Sequence, residues 1–137
     1  MRAGIRKAML RVGRRGASLA FFALIHAAIA LSLARMPTAA PLRTELLLPV
    51  GLWWTAWATS ATICLAGAIF ATFDAIAFGA SMYMMIAWSA ISFYAFALHP
   101  TAIGWLSGVI WFCFAGFVWV ISGWVDPDDP RRRRHPP

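Results

Sequence analysis

The chain has 137 residues, of which 61% are apolar and only 12% charged. A soluble domain this small leaves much of its surface wet and carries about 25% charged residues. The composition therefore excludes an ordinary water-soluble fold and points to a membrane protein. A net charge of +7 raises nucleic acid as a partner, but the placement of the charges argues against it. Arg2, Arg6, Lys7, Arg11, Arg14 and Arg15 stand near the start, Arg131, Arg132, Arg133 and Arg134 near the end, and only Arg35 and Arg43 between. A nucleic-acid domain interleaves basic and aromatic residues on one folded face, so no nucleic acid is expected.

Residues 1–16 read as a basic cytoplasmic arm. As a helix, the arm would align Ile5, Met9 and Val12 among its cations, which suits a segment lying on anionic lipid. A solvated tail that only orients the chain is the plainer alternative. Crossing about 30 Å of hydrocarbon takes about 20 apolar residues, and 17–35 is the first such stretch. Its only polar members before Arg35 are Ser18, His26 and Ser32. Ser32-Leu33-Ala34 also has the form of a signal-peptide cleavage site, although the apolar core here is longer than the usual 7–15 residues or so.

The second span is predicted over 50–71, with Pro49 suited to a helix start. Trp53, Trp54 and Trp57 follow and read as interfacial anchors. The apolar run from Leu46 to Leu98 is too long for one crossing and suits a hairpin. Its turn is expected near 72–75, with Asp74 at the surface capping a third span over 76–98. His99-Pro100-Thr101 is a break, because proline stops a helix. The fourth span is predicted over 103–125, with Trp105 and Trp124 as anchors near its ends. The tail, 126–137, is rich in Asp, Pro and Arg and is expected to be disordered.

Four spans put the arm, the Asp74 turn and the tail on one side, together with 10 of the 12 cations. Lysine and arginine favour the cytoplasmic side. The expected fold is all-α: a polytopic protein of the inner (cytoplasmic) membrane with four transmembrane helices, both termini cytoplasmic. Arg6, Lys7, Arg11, Arg14, Arg15 and Arg131, Arg132, Arg133 and Arg134 would then contact anionic headgroups of the bilayer.

Small residues let membrane helices approach closely. Ala56, Ser60, Cys64 and Ala68 form one such stripe, and Gly104, Gly108 and Gly116 another. They read as packing surfaces, either within the bundle or between copies of a homo-oligomer. His26 is the intramembrane polar candidate, since ionisable groups are rare at that depth. No span offers it a carboxylate, so a neutral ring bonded to a serine or threonine of another helix is the plainer reading. Cys64 and Cys113 lack any C-x-x-C or ligand cluster, so no metal is expected. No Asp, Glu, Lys or Arg falls deep within a proposed span. That disfavours small multidrug-resistance-type transporters, hydrolases and transferases, which need embedded charge or paired acid–base groups. No catalytic residue and no cofactor is expected, and the chain reads as not an enzyme.

Two stretches carry a resemblance. One is Arg14-Arg15-Gly16 leading into a small-residue helix. The other is Val109-Ile110-Trp111-Phe112-Cys113-Phe114-Ala115-Gly116, closing with Val120-Ile121-Ser122-Gly123-Trp124. Together they resemble small four-helix membrane proteins encoded by actinobacterial phages and prophages. Eleven arginines against one lysine, and 26 alanines, fit a GC-rich genome of that kind. The resemblance supplies context but no activity and no site residues; a phage or host membrane protein is the expected protein partner. The leading expectation is a holin-like factor that permeabilises the membrane by lateral oligomerisation. The alternatives are a superinfection-exclusion or scaffold protein that forms no pore, and a transporter or channel subunit using His26.

Overall fold

The computed structural model describes residues 14–35, 49–98, 100 and 102–123. The expectations for the rest of the arm, for the tail and for Arg6, Lys7, Arg11, Trp124, Arg131, Arg132, Arg133 and Arg134 lie outside these residues. Among the described residues there are four long helices: α1 (Arg14–Ala34), α2 (Val50–Ile69), α3 (Asp74–Leu98) and α4 (Ala102–Ser122). Each is long and apolar enough to cross a membrane. Arg14, Arg15 and Gly16 are the opening residues of α1, where the sequence suggested the end of a separate arm.

Chain neighbours pack most extensively, α1 on α2, α2 on α3 and α3 on α4. Core residues from all four helices meet in one cluster that includes Leu19, Phe22, Cys64, Phe78, Met85 and Val118. That cluster occupies the half of the bundle holding the start of α1 and the α2–α3 turn. The other half is built around Trp53 and Trp57, with Leu33, Met84 and Ile91. Hydroxyls on the outer faces bond back to their own helix: Ser18 Oγ donates to the Arg14 carbonyl at 2.9 Å, Ser32 to Ala28 at 2.8 Å and Thr62 to Ala58 at 2.9 Å. Such i−4 bonds satisfy a hydroxyl without water or a neighbouring chain.

The α2–α3 turn falls earlier than expected. Phe70 is extended (φ −117°, ψ 109°), and a short 3₁₀ turn, Ala71–Phe73, leads into α3. Asp74 is already helical (φ −54°, ψ −52°), whereas an N-cap residue is extended. Its carboxylate therefore sits in the first turn of α3, where the helix dipole favours it. It also pairs with Arg15, Nη2 to Oδ2, at 2.9 Å. The Arg15 guanidinium lies 5.4 Å from the centroid of the Phe78 ring. Arg15 thus joins α1 to α3. Arg14 beside it is exposed.

The hairpin can be this tight because Gly67 has no side chain. A Cβ there would stand 2.5 Å from the Ala77 Cβ and 3.1 Å from Leu19 Cδ1.

Candidate functional site

The centre of the bundle is polar. His26 on α1 is fully buried. Its Nδ1 lies 3.0 Å from Ser60 Oγ on α2, and its Nε2 lies 3.4 Å from Ser81 Oγ on α3. A neutral imidazole has one donor and one acceptor nitrogen, and a hydroxyl can serve as either. The two serines therefore satisfy the ring in either tautomer. The ring stands edge-on to Trp57, with centroids 4.9 Å apart. One turn below Ser60, the Cys64 thiol donates to the Ala77 carbonyl at 3.6 Å.

Four indoles adjoin this centre. Trp57 packs on Trp88 and on Trp111, both at 5.7 Å, and Trp53 packs on Trp88 at 5.3 Å. Trp57 is completely buried and Trp53 nearly so, which corrects their reading as interfacial anchors. A tryptophan at a span's end can turn inward as readily as outward when both sides are apolar, and here Trp88 and Trp111 supply ring faces to receive them. The indole N–H groups of Trp53 and Trp57 have no hydrogen-bond acceptor. Both rings stand nearly perpendicular to Trp88, at 80° and 75°, the arrangement in which an indole edge meets a π face. Trp54 and Trp105 are exposed.

The small-residue stripes also face inward, in part. Ser60 and Cys64 are buried, while Ala56 and Ala68 are half-buried against the two core clusters. Gly108 is buried against α3: Ser89 Oγ donates to its carbonyl at 2.8 Å, and an added Cβ would stand 2.7 Å from the Phe93 ring. Ser92 and Ser107 meet nearby at 3.3 Å. The Gly108 face is therefore packed within the chain, the first of the two alternatives its small residues left open. Gly104 is half-buried on the same helix, and Gly116 is exposed with open space around it.

Ser81, Ser89, Trp88 and Gly67 were not distinguished by sequence. The available signal was that Ser81 and Ser89 are isolated polar residues in an apolar run, as His26 is in α1. Among the described residues, no three His, Cys, Asp or Glu side chains come together as a metal site would require. The arrangement can hold a neutral histidine and lock three helices together.

Comparison with protein-family models, curated proteins and solved structures finds no match.

Proposed function

We propose that the chain is a multi-pass protein of the cytoplasmic membrane with both termini inside. It acts without catalysis, assembling laterally and perturbing the bilayer as a holin does. The observation that carries this reading is the exterior. Large apolar side chains stand exposed on every helix, among them Leu24, Leu65, Tyr83, Phe112 and Trp119. Soluble monomers rarely expose contiguous apolar patches beyond a few hundred Å², whereas lipid accepts such a surface. Orientation follows the arginine-rich termini. A green fluorescent protein fused to the C-terminus would fluoresce, and a secreted phosphatase fused there would be inactive.

The interior bears on mechanism. Leu19, Phe22, His26, Trp57 and Met85 are buried inside the bundle, which supports permeabilisation by several copies around a shared lesion rather than through one chain. The helix with the most surface to offer is α4: 22% of its apolar stretch is buried, against 33–39% in the other three. Exposed Gly116, with Phe112, Cys113 and Val120 beside it on the same face, makes a notch suited to close helix approach.

The second reading, a superinfection-exclusion or scaffold protein, draws on the same buried and internally bonded core, which suits a rigid body that opens no path. Inducible expression with a membrane-potential dye separates the two. Abrupt depolarisation is expected for the holin-like reading. A polarised membrane with the protein present in the membrane fraction would sink it. Reduced plating of incoming phage without depolarisation would then mark exclusion.

A further inference from the structure

The outer side of the α1–α2 pair carries an open, apolar groove of about 590 Å³. On α1 it follows Ala20, Leu24, Ala27 and Leu31, and on α2 it runs between Trp54 and Leu65. Alanines and leucines make up most of its lining. From Ala20 to Ala34 the groove is about 21 Å long at 1.5 Å per residue, more than the roughly 15 Å depth of one leaflet's hydrocarbon.

One end of this groove differs from the rest. Arg35 lies four residues beyond Leu31, so it continues the same helical stripe, and its amide still bonds to the Leu31 carbonyl at 3.2 Å. Its side chain is exposed. On α2, exposed Trp54 lines the same groove and holds its Nε1 3.9 Å from where a Cβ on Gly51 would stand, one turn nearer the N-terminus of α2. The indole N–H edge thus lies toward the end that carries Arg35. An apolar trough with an indole in its lining and a cation just past its last α1 residue, Ala34, has the chemistry of an anionic phospholipid: acyl chain below, phosphate above.

We infer that the α1–α2 groove seats one acyl chain of an anionic phospholipid whose phosphate pairs with Arg35 beside Trp54. This inference rests on membrane insertion. It adds a site on the opposite end of the bundle from Arg14 and Asp74, distinct from the terminal arginines.

The test uses the full chain in nanodiscs of phosphatidylglycerol and phosphatidylcholine in equal parts, released into mild detergent for native mass spectrometry. Preferential retention of phosphatidylglycerol is expected. Arg35→Gln should reduce that preference roughly fivefold, the weight of one cation near a lipid surface. Ala27→Leu, at an exposed position in the groove lining, should lower retention of both lipids by filling the trough. Arg14→Gln, an exposed cation at the other end, should leave the preference intact. Equal retention of the two lipids, or a preference untouched by Arg35→Gln, overturns the inference. So does an Ala27→Leu variant that changes the number of protein copies but not of bound lipids, because the groove would then hold a second copy. Alkaline carbonate extraction of the wild-type chain from membranes distinguishes the deeper failure: a chain released by it is not integral, and the membrane reading falls together with the lipid site.

Discussion

His26 Nδ1 and Ser60 Oγ, 34 residues apart in the chain, lie 3.0 Å from each other at the centre of the bundle. With Ser81 on the opposite nitrogen, this contact ties α1, α2 and α3 together, and the Cys64 thiol on the Ala77 carbonyl adds a second directional link between α2 and α3. The apolar contacts around it set how tightly the helices pack. The histidine sets their register.

The two serines should differ in weight. Ser60→Ala removes the shorter bond and leaves a buried nitrogen without a partner, a loss of about 1–2 kcal/mol. Ser81→Ala removes a bond at the long limit of the useful range and should cost under about 1 kcal/mol. His26→Ala removes both bonds and opens a cavity, for about 2–4 kcal/mol. Thermal unfolding in detergent, followed by tryptophan fluorescence, checks the order His26→Ala, Ser60→Ala, Ser81→Ala. A Ser81 variant less stable than the Ser60 variant would contradict the geometry.

Three glycines should respond differently to alanine. At Gly67 the new Cβ meets Ala77 Cβ at 2.5 Å and the Phe73 carbonyl at 3.4 Å, so the hairpin must open, and a loss of about 1–3 kcal/mol is expected. At Gly108 the obstacle is the Phe93 ring, which is partly exposed and can swing aside, so the loss should be smaller. At Gly116 there is open space, and alanine's better helix propensity should stabilise the single chain by up to about 1 kcal/mol. The same unfolding assay ranks the three.

The pair Arg15 and Asp74 is partly solvent-exposed, with side-chain accessibilities of 29% and 21%. Its coupling should therefore be modest, about 1 kcal/mol or less. A double-mutant cycle with Arg15→Gln and Asp74→Asn measures it. Arg15→Gln should cost more than Asp74→Asn, because it also gives up the contact with the Phe78 ring.

The two thiols offer a test of lateral assembly. Cys113 is exposed and Cys64 buried, and Cys113 lies three residues before Gly116 on the outer face of α4. If copies meet across Gly116, a lipid-soluble oxidant such as iodine should produce a disulfide-linked dimer in membranes. The dimer should be absent in Cys113→Ala, retained in Cys64→Ala and weakened by Gly116→Leu. No dimer from the wild-type chain would remove this face as the site of assembly.

The helices were legible in the sequence because each consists of about twenty apolar residues between charges or a proline. The inner faces were largely not legible. A soluble helix shows its buried side by apolar periodicity, but here the outer faces are as apolar as the inner ones, so Trp53 and Trp57 gave no sign of pointing inward. Polar residues were the usable signal: His26, Ser60, Ser81 and Ser89 are all buried, while the exposed hydroxyls of Ser32 and Thr62 bond to their own helix. The break at Phe70 was hidden for a different reason. Neither proline nor glycine marks it, and it depends on Gly67 meeting Ala77 ten residues later.

The cluster of Trp53, Trp57, Trp88 and Trp111 gathers indoles from α2, α3 and α4 within 5.3–5.7 Å of one another along its chain of contacts. Chromophores this close share their excitation, and the shared excitation appears as a paired circular-dichroism band that isolated indoles do not give. Separating any one of these three helices would break a link in that cluster and change the band. The protein thus contains its own optical gauge of whether the bundle is closed, readable in detergent or bilayer without a label.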